Sequence, residues 1–201
     1  MDVIPNLSKS TLSGWIKHVK LTQEQEEKLE NNIKKIVYTA RIRAALTKRK
    51  NRQERIKKII KKAEKEYTAF SKNLLFTIGL VLYWAEGGKK TEIFQFSNSD
   101  PSAVRAMMRW LTEICRVPKE KIKFRIFIHK IYAHENCEEF WSKITGIPTS
   151  NFQKTIYKPT PHKLKKNQGY KGCVQIRVPK SEFFWKVMGW INKLIEKSHF
   201  K

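Results

Sequence analysis

Between Leu21 and Ile78 the chain contains neither glycine nor proline. Nothing in that stretch can break a helix or turn the backbone sharply, so it reads as helix over most of its length. Thr22 is placed to cap it, and Glu24, Glu26 and Glu27 fall in the first turn, where acids suit the positive end of the dipole. From Arg41 to Lys62 there are eleven basic residues and a single acid, Glu54. Apolar residues Ile42, Ala45, Leu46, Ile56, Ile59, Ile60 and Ala63 form an incomplete stripe rather than a sustained heptad. A basic helix over 22–72 with a phosphate-facing side, including Arg49 and Arg52, is the expectation.

The rest of the chain carries the same charge bias. Lys and Arg number 42 against 18 Asp and Glu, giving +24 and a pI near 10.1. That excess argues against an ordinary neutral metabolic enzyme and for a polyanionic partner: nucleic acid first, an anionic membrane surface second. A hydrophobic fraction of 40% with six Trp excludes wholesale disorder. The three cysteines, Cys115, Cys137 and Cys173, are widely spaced and form no CxxC, so neither a disulfide framework nor a zinc ribbon is expected. The longest apolar run, Leu74 to Ala85, is too short to span a membrane. These features suggest a soluble cytoplasmic protein, associated with the nucleoid through DNA, with no membrane or small-molecule partner.

Residues 1–21 have a helix-turn-helix flavour. Ser8 can cap a short helix with Leu12, Trp15 and Ile16 on one side, leaving Lys9, Ser10 and Ser13 for phosphates or base edges. The segment resembles the recognition helix of resolvase-type helix-turn-helix domains. Only seven residues precede it, and docking on the body is an equal alternative.

Residues 73–201 alternate helix and strand. Leu74–Glu86 reads as an apolar helix stopped at Gly87-Gly88, followed by a strand over 93–97 and a helix capped by Ser99 or Asp100 with Pro101 in its first turn. Val104, Met107, Met108, Leu111 and Ile114 mark its core face. Lys121–His129 alternates as a strand, Asn136–Thr145 reads as a helix, and Phe152–Tyr157 and Cys173–Val178 as strands on either side of a basic loop, 158–171. A final helix starts at Ser181. The expected fold is α+β: a four-stranded sheet with helices on one face, preceded by the long basic helical region.

The run Gly79-Leu80-Val81-Leu82-Tyr83-Trp84-Ala85-Glu86-Gly87-Gly88, followed by the strand Phe94-Gln95-Phe96-Ser97 and a capped helix, is similar to the LAGLIDADG homing-endonuclease superfamily. Glu stands where the familiar motif has Asp, and aromatics occupy two of its positions. The resemblance implies that two such helices pair about a two-fold axis, with Gly79 and Leu82 at the contact. Only one motif occurs, so the pair requires a homodimer. It further implies that Glu86 holds Mg²⁺ (or Mn²⁺) beside the scissile phosphate, with Lys89, Gln95 and Lys154 orienting water or steadying the phosphate. Glu86 can also be read as an ordinary helix-end acid paired with Lys89 or Lys90.

The sheet face turned away from the helices is the expected DNA surface. Lys90, Lys123, Arg125, Gln153, Gln175 and Arg177 are its readers, because Arg bridges guanine and Gln adenine in the major groove. Gln153-Lys154 and Gln175-x-Arg177 are expected on adjacent strands, and Lys163, Lys165, Lys166 and Lys171 on the backbone. No P-loop, GxSxG or zinc set is present; His129, His134 and Cys137 make no tetrahedral site. The expected activity is Mg²⁺-dependent, site-specific cleavage of double-stranded DNA, with non-catalytic DNA binding or transcriptional regulation as the alternative.

Overall fold

The computed structural model describes residues 8–133, 136–160 and 169–198. The chain divides into two compact units, with the division after Gln53. In the first, Ser8 Oγ accepts from the Thr11 amide and starts helix α1 (Lys9–Ile16). Helix α2 (Gln23–Phe70) begins with a reciprocal cap, in which Gln25 N donates to Thr22 Oγ1 and Thr22 N donates to Gln25 Oε1 at 2.9 Å. Residues 8–53 are exposed throughout.

The second unit starts within α2 rather than at residue 73, because the last turns of that helix are amphipathic. Ala63 and Tyr67 are buried, with Ile56, Ile59, Ile60 and Phe70 half-buried beside them. Helix α6 (Ser181–Lys197) crosses these turns at Gly189, where a Cβ would lie 2.8 Å from Ala63 Cβ and 2.9 Å from the Ile60 carbonyl. Lys186 and Glu66 close the contact with an ion pair of 2.8 Å.

Helix α3 (Leu74–Glu86) is capped by Asn73, whose Oδ1 accepts from the Phe76 amide at 2.9 Å. It leads into β1 (Phe94–Asn98), then α4 (Pro101–Arg109), capped by Asp100 and prolonged by a π-helical turn over Trp110–Ile114. Strand β2 (Lys123–His129), helix α5 (Cys137–Thr145), β3 (Phe152–Lys158) and β4 (Cys173–Val178) complete the unit. Burial of Phe76, Phe94, Trp110, Trp141 and Trp190 anchors the core, each such side chain contributing about 1.5–3 kcal/mol. The fold is α+β, as expected.

The sheet order is β1-β4-β2-β3, antiparallel except for the parallel pair β2–β3. The parallel pair follows from α5, a crossover helix between the two strands. This order corrects one expectation. Strands β3 and β4 are not neighbours, because β2 lies between them.

Alternation along β1, β2 and β4 is clean. Phe94, Phe96, Phe124, Ile126, Ile128, Val174, Ile176 and Val178 are buried on the core side. Gln95, Ser97, Lys123, Arg125, Gln175 and Arg177 take the other face, half-buried or exposed. Cys137 is buried, whereas Cys115 and Cys173 are half-buried, and all three thiols are free. Burial raises the thiol pKa of Cys137 to about 12 and that of Cys115 further, so both stay protonated and inert at neutral pH.

Candidate nucleic-acid interface

Strand pairing assembles the polar face into rungs. Ser97 lies opposite Gln175, Gln175 opposite Arg125, and Arg125 opposite Gln153, so one row crosses all four strands. A second row runs Gln95, Arg177, Lys123 over three strands. Adjacent strands lie about 4.8 Å apart, so the longer row spans roughly 14 Å, close to the width of a DNA major groove. Gln175 Nε2 reaches Ser97 Oγ at 3.4 Å. Arg125 Nε, Arg177 Nε and Gln153 Oε1 are shielded from solvent without a hydrogen-bond partner. Burying these polar atoms unpaired costs stability.

Arg125 links Gln175 to Gln153, a role hidden while β3 and β4 were expected side by side. Lys154 falls outside the rows. The β2–β3 register shifts between Arg125 and Phe127, so that Phe127 pairs with Ile156. Thr155 turns inward and donates to Glu138 Oε1, while Lys154 is left exposed. Its expected place beside the phosphate is thus not one shared with Gln153.

Glu86 ends α3 at the sheet edge. Gly87 forms a bridge with Phe96, and the Gly88 amide donates to the Gln95 carbonyl at 2.8 Å. Tyr83 Oη donates to the Gly88 carbonyl at 3.0 Å, fixing the same turn. Burial pushes the Tyr83 phenol up to about 12. The carboxylate of Glu86 lies within electrostatic range of Cys173, next along β4 from the rungs. Burial raises that thiol's pKa, Lys158 pulls it back, and Glu86 adds to the rise. Lys158 also sits over the Phe127 ring at 5.1 Å. Acid and lysine thus share one corner of the polar face.

Lys89 is differently engaged from either expectation. Its Nζ donates to the carbonyls of Trp84 at 2.7 Å and Gly87 at 2.9 Å, so it caps the end of α3. Among the described residues Glu86 forms no ion pair with Lys89 or Lys90. Lys90 is exposed beyond the same turn.

The expected helix contact needs correction. Gly79 does not face a second chain; it packs on Trp110 of its own core. Leu82 is half-buried against that core. The exposed side of α3 instead carries Leu74, Ile78 and Val81, at 74%, 40% and 42% exposure, with Ala85 in line.

Among the remaining candidates, Lys9, Ser10 and Ser13 lie exposed on α1, and Arg49 and Arg52 on α2. Lys171 is half-buried, and its carbonyl accepts from Trp141 Nε1 at 2.8 Å. Lys163, Lys165, Lys166 and His134 lie outside the described residues. Ser97 is not among the residues singled out from the sequence, although polar alternation with Gln95 marks it, and Lys158 is placed there only at the start of the basic loop. Lys58, Lys61 and Lys62 of the expected basic stretch, joined by Lys65 just beyond it, line one shallow depression on α2 through their i, i+3, i+4 and i+7 spacing.

Comparison of the chain with known protein families, with curated proteins and with solved structures finds no match. Among the described residues no helix is long and apolar enough to cross a membrane.

Proposed function

We propose that this chain binds duplex DNA through the open face of its sheet. The observation that carries this reading is the row Ser97–Gln175–Arg125–Gln153, with Gln95–Arg177–Lys123 beside it. Arg and Gln alternate there at strand spacing, which suits base edges, while the lysines of α2 suit phosphates. A net charge of +24 supplies the non-specific attraction.

Within that reading the activity is phosphodiester cleavage by a homodimer. The apolar outer side of α3 (Leu74, Ile78, Val81, Ala85) would meet the same side of a second copy. Each copy would bring its Glu86 beside the bound strand. Among the described residues no three His, Cys, Asp or Glu groups cluster. Glu86 would therefore supply one carboxylate to a divalent cation, the other ligands coming from the second copy, a phosphate and water. A hard oxygen donor fits Mg²⁺, which when bound supplies Lewis acidity and a more acidic water. The chain's own part would be to fix the turn after Glu86 through the Tyr83–Gly88 bond and to hold the strand on the rungs. The second reading is DNA binding by the same face without cleavage, with Glu86 an ordinary exposed acid at the helix end.

The experiment is a binding titration on duplex DNA over a range of salt, then a cleavage assay with Mg²⁺ or Mn²⁺ on a randomised target library. Each phosphate contact is expected to add about 0.9 to the slope of log affinity against log salt. A flat dependence overturns the DNA reading. Tight binding without a cut on any selected sequence hands the case to binding alone.

A further inference from the structure

The first half of α2 carries apolar side chains that its own chain leaves uncovered. Leu29, Ile33, Ile36 and Val37 are 50%, 51%, 66% and 41% exposed, and Ala40 continues their line. Leu29, Ile33, Ile36 and Ala40 follow one another at steps of four, three and four, the seam spacing of a two-stranded coiled coil. A single-chain helix gains nothing from such a seam in water. Another helix laid along it would bury it.

The charges say which helix. One heptad step before Ile33 stands Glu26, and one step after Ile36 stands Arg43. Acids gather at the start of α2 (Glu24, Glu26, Glu27, Glu30), and from Arg41 to Arg52 the charges are basic only. A parallel partner of the same sequence would set Glu26 against Glu26 and Arg43 against Arg43. Turning the partner round removes both conflicts. With Ile33 facing the second copy's Ile36, Leu29 faces Ala40 and Glu26 faces Arg43, at both ends of the seam. Seam position and charge thus agree on one register.

We infer that residues 26–43 of α2 form an antiparallel helix pair with the same segment of a second copy, closed at each end by a Glu26–Arg43 contact. This contact uses a different surface from α3 and does not depend on the DNA reading. It leaves the basic turns beyond Arg43 outside the pair.

The test uses full-length chains without DNA. One preparation carries Leu29→Cys, another Ala40→Cys, each also bearing Val81→Glu to disable any contact through α3; a chain with Val81→Glu alone reports the background from native thiols. The two are mixed and oxidised. A disulfide-linked pair is expected in the mixture and not in either preparation alone, since like positions would lie 11 residues apart along the axis, roughly 16 Å. Cross-linking of either preparation with itself overturns the antiparallel register. No cross-link anywhere overturns the pair, and leaves the seam to another segment, such as the exposed Trp15 side of α1. A charge test in the same Val81→Glu background completes it. Glu26→Arg and Arg43→Glu should each weaken self-association several-fold by sedimentation, and the double variant should restore it. Failure of restoration counts against the Glu26–Arg43 contact. Success here with no DNA binding would leave the pair standing and the proposed function overturned.

Discussion

Gly79 sits against the indole of Trp110 so closely that a Cβ at position 79 would lie 2.1 Å from Trp110 Cγ. The small residue therefore serves the approach of α3 to the turn after α4 within one chain. Trp110 is fully buried and wedged among Phe94, Phe183 and Trp190, so it has no room to retreat. Gly79→Leu should cost about 1–3 kcal/mol or more through overpacking, with Gly79→Ala in the same direction. Chemical denaturation followed by tryptophan fluorescence checks this. A Gly79→Leu protein of wild-type stability would contradict the packing.

The rungs make a second prediction. Arg125→Ala and Arg177→Ala should each weaken specific DNA binding by about 1–3 kcal/mol and relax preference at the base they face. Gln175→Ala should act likewise, while Lys154→Ala should act weakly and alike on all sequences. Anisotropy titrations against specific and scrambled duplexes separate the two patterns. Equal losses on both duplexes for Arg125→Ala would move it to the phosphate-holding class.

The proposed cleavage would rest on one carboxylate. Glu86→Gln keeps size and hydrogen bonding but removes the charge that holds a divalent cation. It should end Mg²⁺-dependent nicking and leave binding intact or slightly tighter, because an anion near phosphate is gone. Full nicking by this variant would exclude Glu86 from the chemistry.

Tyr83 gives a pH dependence. Its folded-state pKa of about 12 lies above the ordinary 10.0, because burial disfavours the phenolate. The folded state therefore binds this proton more tightly than the unfolded chain. Its contribution is complete below pH 10 and is lost as pH rises from there towards 12. Denaturation midpoints taken across that range should fall, and fall less for Tyr83→Phe. Equal slopes for the two proteins would contradict the assignment.

Much of the second unit is legible from local pattern. The bounds of α3 and β4 follow from an apolar run closed by Asn73 and Gly87, and from the alternation of Cys173–Val178. The alternation also marks Gln175 and Arg177 as outward-facing. Strand order is not legible, because the pairing of Gln175 with both Ser97 and Arg125 joins residues far apart in the chain. Lys154 misleads because an irregular register interrupts the alternation it would obey. Gly79 misleads for another reason: a glycine on a helix announces a close approach without saying whose atoms arrive. The position of Lys89 suggests a phosphate contact, yet the nearest acceptors to a lysine just past a helix end are that helix's own carbonyls.

Strand β4 is the last of the four in the chain, yet it lies between β1 and β2. During synthesis, then, β1 waits without a strand neighbour until Cys173–Val178 has left the ribosome, and β2 has only β3 beside it. The polar rows do not exist before that moment, since Gln175 and Arg177 are their middle members. Pairing across so long a stretch is slow, and its unpaired edges are open to other chains meanwhile. On the proposed function, the face that would read DNA is thus withheld from the nascent chain until the sheet closes. A chain stopped short of Cys173 should retain the basic helix and its general attraction to DNA, but no sequence preference.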